Sequence, residues 1–71
     1  MSEIIYIKVN NEEKSVFKTD YIKAKTAQLQ EFGYNDLSEF TVEEQLNKIL
    51  AGEKKLLTVV GLMIADDILI K

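Results

Sequence analysis

The longest apolar stretch of the chain lies at residues 56–70, which read LLTVVGLMIADDILI. Read as a helix, this stretch has two apolar stripes rather than one. One stripe contains Leu57, Val60, Ile64 and Ile68, and the other contains Thr58, Leu62, Ala65 and Leu69. An ordinary surface helix buries a single stripe, and a short chain cannot easily cover two. We therefore expect the second stripe to be shared with a partner.

The second stripe also carries small residues. Gly61 and Ala65 are four positions apart and would let another backbone approach closely, although Gly61 can instead be a tolerated break in the helix. The predicted protein interface consists of five residues, namely Thr58, Gly61, Leu62, Ala65 and Leu69.

A pair of buried strands is the alternative for the same stretch. Residues 57–64 and 68–70 would form the strands, and residues 65–67 would turn between them, because periodicity cannot exclude strands in a short apolar run. The leucine, methionine and alanine content favours the helix, whereas Asp66 and Asp67 would lie unfavourably at the negative end of the helix dipole. A membrane span is not expected, since the uncharged run of residues 56–65 is half the roughly 20 residues that a bilayer requires.

The amino-terminal part predicts a β-hairpin. Residues 3–10 form the first strand, residues 10–13 form the loop, and residues 14–18 form a short return strand. Ile5 and Ile7 share one face of the first strand, while Ile4 and Tyr6 lie on the other face. The first half of this strand is therefore expected to be covered on both sides.

A first helix is predicted to begin at Thr19 or Asp20 as the cap and to run to Phe32, with Gly33 ending it. Lys25 projects into the apolar arc of this helix. Its stem is expected to lie along the core with the ammonium group in water. A sharper hypothesis pairs Lys25 with Asp67, because each projects into an apolar stripe and unpaired buried charges are costly.

A second helix is predicted from a capping signal. Thr41 is the expected cap, Glu44 closes a capping box three residues later, and Phe40 is placed to form the hydrophobic staple. Residues 36–39 add at most a single turn before it, and Gly52 ends it. Together these elements predict one α+β domain over residues 1–71, in which an amino-terminal β-hairpin packs against three helices in the order ββααα and the last helix is apolar on two faces.

Composition limits the ways in which this domain can be stabilised. The chain has 71 residues, no cysteine and no histidine, so neither a disulfide nor an ordinary structural zinc site is available. Association is the remaining means of stabilisation. The chain also lacks the commonest general base and the thiol nucleophile, and Asp66 and Asp67 point in different directions on a helix. We therefore expect no enzymatic activity, metal or cofactor.

The formal net charge is −3, and every basic residue is a lysine. The first 14 residues contain neither a basic leader nor a long apolar region, so a cytoplasmic protein is expected. We interpret the chain as a small interaction module that forms a homo-oligomer, most simply a dimer, or binds a protein partner. The alternative is a small dimeric DNA-binding regulator, for which the candidate contact residues are Lys8, Lys14, Lys18 and Lys23.

Overall fold

The structure is a computed structural model that describes residues 3–53 and 58–70. Its elements in chain order are β1 (Ile4–Val9), β2 (Glu12–Phe17), α1 (Lys18–Glu31), α2 (Glu39–Leu50), α3 (Val59–Asp67) and β3 (Ile68–Leu69). The predicted α+β class is confirmed, as is the order of a hairpin followed by three helices. The short strand β3 is added at the end and extends the sheet.

The hairpin turn is tighter than predicted. Asn10 and Asn11 have φ values of 51° and 67°, and the strands pair directly from Val9 opposite Glu12 onward. Two consecutive left-handed residues match the twist of the flanking strands, and asparagine tolerates this conformation. Glu12 and Glu13 therefore belong to β2 rather than to the loop, and the prediction that the return strand begins at residue 14 is wrong by two residues.

Helix α1 follows β2 without a linker. It begins at Lys18, and its N-cap is Phe17, whose side chain forms no capping hydrogen bond, so the predicted cap at Thr19 or Asp20 is wrong. The Lys18 amide instead donates a hydrogen bond of 2.7 Å to the Glu3 carbonyl, which supplies a partner for one of the free amides of the first turn. The predicted end is confirmed, since Gly33 follows the helix with a φ of 120°.

Helix α2 begins one turn earlier than predicted. Its N-cap is Ser38, whose hydroxyl accepts a hydrogen bond from the Thr41 amide at 3.2 Å. Thr41 thus lies inside the first turn, and its prediction as the cap is wrong. An earlier start adds the backbone hydrogen bond from the Val42 amide to the Ser38 carbonyl. Phe40 is exposed and forms no staple, whereas Gly52 ends the helix as predicted with a φ of 82°.

The last apolar stretch combines both sequence interpretations. Residues 59–67 form helix α3, so the strand at 57–64 and the turn at 65–67 are wrong for the residues that the structure describes. The chain then leaves the helix, and Ile68 and Leu69 pair antiparallel with Ile7 and Tyr6 of β1. The sheet order is β2-β1-β3. Leu57, the first member of the core stripe, lies outside the described residues.

The core lies between the three helices and one face of the sheet. Val60, Ile64 and Ile68 are buried, which confirms that the first predicted stripe faces the core. The other buried apolar residues are Ile5, Tyr21, Ile22, Leu29, Val42, Leu46 and Ile49. Over residues 3–53 and 58–70, the helices and this core lie on the Ile5 side of the sheet. The side chains of Ile4, Tyr6 and Phe17 on the opposite face remain exposed.

Candidate protein interface

The open face of the sheet is defined here as the outer sheet face. Paired residues of antiparallel strands share a face, and the register places three such pairs there. These pairs are Ile4 with Phe17, Tyr6 with Ser15, and Lys8 with Glu13. Leu69 of β3 lies opposite Tyr6 and belongs to the same face.

The outer sheet face is apolar at one end and charged at the other. Ile4 and Phe17 expose 53% and 51% of their surface and Tyr6 exposes 39%, so the expectation that both sides of β1 would be covered is wrong. Lys8 and Glu13 occupy the end next to the hairpin turn, one on each strand. Adjacent exposed apolar side chains with a charged border are typical of a protein interaction surface.

The predicted interface residues of the C-terminal stretch differ in exposure and in the element that carries them. Leu62 is exposed on α3, Ala65 is half-buried, and Leu69 is half-buried on the outer sheet face. Gly61 is buried within the single chain. Thr58 is the N-cap of α3, and its hydroxyl accepts a hydrogen bond from the Gly61 amide at 3.3 Å. Two of the five residues therefore have roles inside the domain.

Gln45 explains why Thr58 is held in place, and sequence reasoning did not single it out. It is buried on the core side of α2, and its Oε1 accepts hydrogen bonds from the Thr58 amide at 3.0 Å and the Thr58 hydroxyl at 3.3 Å. A signal was present, because Gln45 occurs among the apolar positions Val42, Leu46 and Ile49. A buried amide needs partners, and the start of α3 provides them.

Lys25 and Asp67 form the ion pair that the sequence hypothesis proposed. The Lys25 Nζ lies 2.7 Å from the Asp67 Oδ2, and the two side chains are 12% and 33% exposed. The Tyr21 hydroxyl donates to the same oxygen at 3.0 Å, a third member that the sequence analysis did not include. Burial first, and then the charge of Asp67 and its hydrogen bond, raise the pKa of Tyr21 well above its ordinary value.

This cluster joins the middle of α1 to the end of α3. It borders a groove of about 560 Å³ whose other wall is the end of β1 and the hairpin turn. Since the raised pKa keeps the Tyr21 hydroxyl protonated, it acts as a hydrogen-bond donor and not as a base. Lys25 and Tyr21 both donate to the same carboxylate oxygen of Asp67. The chemistry of the cluster is therefore that of a structural contact that links two helices.

The lysines of the DNA-binding alternative lie on different surfaces. Lys8 is on the outer sheet face opposite Glu13, whereas Lys14 is paired with Ile7 and points to the other face of the hairpin. Lys18 donates to the Asn47 Oδ1 at 2.5 Å and lies 3.9 Å from Glu3. Lys23 lines a cavity that Glu39 and Glu43 also line. Lys8, Lys18 and Lys23 therefore each have a glutamate nearby.

Metal-binding and membrane-spanning features can be assessed over residues 3–53 and 58–70. Within these ranges, no cluster of three or more acidic side chains is arranged to hold a metal ion. No helix there is both long and apolar enough to cross a membrane. Comparison with known proteins found no matching family model, no matching curated protein and no matching solved structure.

Proposed function

We propose that this protein is a non-catalytic protein-interaction module that binds a protein partner through the outer sheet face. The observation that carries the proposal is the exposure of three adjacent apolar side chains, Ile4, Tyr6 and Phe17, on a sheet whose opposite face is buried by helices. The binding surface thus lies on the hairpin and includes Leu69 of the C-terminal stretch at its border.

The free energy gained by covering these three side chains supports an interface of moderate strength. Fully burying a large apolar side chain contributes about 1.5–3 kcal/mol, so covering the remaining half of each of these three contributes about 1 kcal/mol apiece. Polar border contacts and exclusion of water must supply the rest of the binding free energy. Tests are therefore best run at micromolar or higher concentration.

Photo-crosslinking in cells tests the proposal directly. A benzoyl-phenylalanine residue is placed at Phe17 or, as a matched control, at Phe40, which is also an exposed phenylalanine but lies on α2. We expect a discrete covalent protein adduct from position 17 and none from position 40. Adding the substitution Ile4→Lys to the position-17 protein should abolish the adduct, because a lysine placed in the apolar part of an interface must be desolvated.

The result that contradicts the proposal is equally specific. If position 17 yields no adduct, or if Ile4→Lys leaves the adduct at the same intensity, then the outer sheet face does not bind a protein. Circular dichroism melts of each variant serve as the folding control. Because Ile4 and Phe17 are half-exposed, these substitutions leave the buried core in place.

A further inference from the structure

We propose that the occupant of the outer sheet face is a second copy of this chain. The two copies pack face to face around a two-fold axis that runs parallel to the strands, between β1 and β2. The inference rests on the proposed function and specifies its partner. It follows from the cross-strand register, which makes the face complementary to itself under this one rotation.

The rotation determines which residues meet. Turning a copy by half a turn about an axis along the strands keeps the strand direction and exchanges the lateral positions of β1 and β2. Each residue of β1 in the first copy then lies over a residue of β2 in the second copy. That β2 residue is the one that pairs with the β1 residue across the strands within a single chain. The register pairs Ile4 with Phe17, so Ile4 of each copy covers Phe17 of the other. The most exposed apolar side chains of the face are thereby buried against each other.

The charged end is matched by the same operation. Lys8 pairs across the strands with Glu13, so Lys8 of each copy lies over Glu13 of the second copy, and two ion pairs form between the copies. Packed sheets cross at about 30°, which displaces a residue about 7 Å from the centre by about 4 Å. A lysine side chain spans that displacement. Charge complementarity and apolar contact therefore occur in a single arrangement.

Two other arrangements of the copies lack this complementarity. A two-fold axis in the plane of the sheets but perpendicular to the strands would place Lys8 over Ile4 and Glu13 over Phe17, which desolvates charges against apolar groups. The second of these arrangements pairs the β2 edges of the two copies. If this pairing were centred on Lys14, Lys14 of one copy would lie beside Lys14 of the other. If it were centred on Ser15, Glu13 of one copy would lie beside Phe17 of the other. Charged side chains on an edge strand commonly oppose such pairing.

A charge-swap experiment tests the arrangement in the intact chain. The protein, Lys8→Glu, Glu13→Lys, and an equimolar mixture of the two variants are compared by sedimentation equilibrium at concentrations up to about 500 µM. We expect the parent chain to dimerise. Each single variant should associate at least about tenfold more weakly, because each places like charges over each other in its homodimer.

The mixture separates this inference from any effect within one chain. In the mixed dimer, the glutamate introduced at position 8 of the first variant faces the lysine introduced at position 13 of the second. The unchanged Glu13 of the first variant faces the unchanged Lys8 of the second, so both ion pairs are restored in trans. We expect the mixture to dimerise within about threefold of the parent, since oppositely charged partners are matched again. A purely structural role of Lys8 and Glu13 would not be rescued by mixing.

Three outcomes would overturn the inference. The first is a parent chain that stays monomeric over the whole concentration range, the second is a mixture that associates no better than its components, and the third is a dimer that responds to Lys14→Glu but not to Lys8→Glu. A monomeric parent that still gives a position-17 adduct with a different protein would refute the second copy while leaving the proposed function intact. Absence of both the dimer and the adduct would refute both.

Discussion

Separating Lys25 from Asp67 is expected to destabilise the domain more than removing both charges together. The substitution Lys25→Met keeps most of the length of the side chain and its apolar contacts but removes the ammonium group, so Asp67 retains only the Tyr21 hydroxyl. The substitution Asp67→Leu leaves an ammonium group that is largely buried without its carboxylate. In the double variant neither charge remains to be desolvated.

The partial exposure of the pair sets the magnitude. Exposed ion pairs contribute about 0–1 kcal/mol, and hydrogen bonds to charged groups contribute about 1.5–3 kcal/mol. With Lys25 12% exposed and Asp67 33% exposed, we expect a coupling free energy of about 1–2 kcal/mol. A domain of this length has a free energy of unfolding of about 4–10 kcal/mol. The pair therefore accounts for a sizeable share of it.

A double-mutant cycle in urea measures the coupling. The slope of about 1 kcal/mol per molar urea for a small domain converts the expected coupling to a midpoint difference of about 1–2 M. All four proteins are unfolded at one fixed protein concentration, because association would add to the apparent stability. The matched control cycle uses Lys23→Met and Asp66→Leu, which change exposed residues of the same types on the same helices. The control should be additive within about 0.5 kcal/mol.

Additivity in the Lys25 and Asp67 cycle would refute the reasoning. A coupling below about 0.5 kcal/mol, equal to that of the control, would mean that both side chains are solvated as ordinary surface charges. The cycle is preferred to either single variant because Asp67 lies at the negative end of the α3 dipole. Removing it relieves an unfavourable interaction of about 0.3–1 kcal/mol that the single-variant value would include.

Three further predictions concern Tyr21, Gln45 and the lysines of the DNA-binding alternative. The raised pKa of Tyr21 means that the folded chain holds this proton more tightly than the unfolded chain, whose tyrosine titrates near pH 10. The contribution of Tyr21 to stability is therefore complete below that pH and is lost progressively as the pH rises above it. Tyr21→Phe should flatten the fall in urea midpoint between pH 9 and 11, and an unchanged slope would contradict this. Gln45→Leu should cost about 1–3 kcal/mol in urea unfolding because it leaves the Thr58 amide without its acceptor, and a neutral effect would show that water replaces the amide. Fluorescence anisotropy with duplex DNA at roughly physiological salt should show no tight binding, whereas nanomolar binding lost on Lys14→Glu or Lys18→Glu would favour the DNA-binding alternative.

The parts of the fold that depend on local chemistry were predictable from the sequence. β-Branched and aromatic residues predicted β1, the two consecutive asparagines predicted a turn, and Gly33 and Gly52 predicted where the first two helices end. Glycine at these positions is favoured because each has a positive φ that other residues adopt with strain. The Lys25 and Asp67 pair was also accessible, because a charge in an apolar stripe has few ways to avoid desolvation.

The starts of the helices depended on contacts that local signals do not contain. Thr41 is a good cap in isolation, but Ser38 competes with it and begins α2 a turn earlier. The N-cap of α1, Phe17, forms no side-chain capping hydrogen bond, and the Glu3 carbonyl, just before β1, accepts a hydrogen bond from the Lys18 amide instead. Tyr21 joins the ion pair only because the fold brings the end of α3 within reach of its hydroxyl.

The division of the last stretch and the position of the exposed surface were decided by the tertiary structure alone. Residues 59–65 and residues 68–69 are both apolar, and only the open edge of β1 provides the backbone partners that make Ile68 and Leu69 a strand. Likewise, the alternation of side chains along β1 predicts that Ile4 and Ile5 make opposite faces of the strand apolar. It does not predict how many helices cover each face. All three helices pack on the side of Ile5, which leaves Ile4, Tyr6 and Phe17 on the surface.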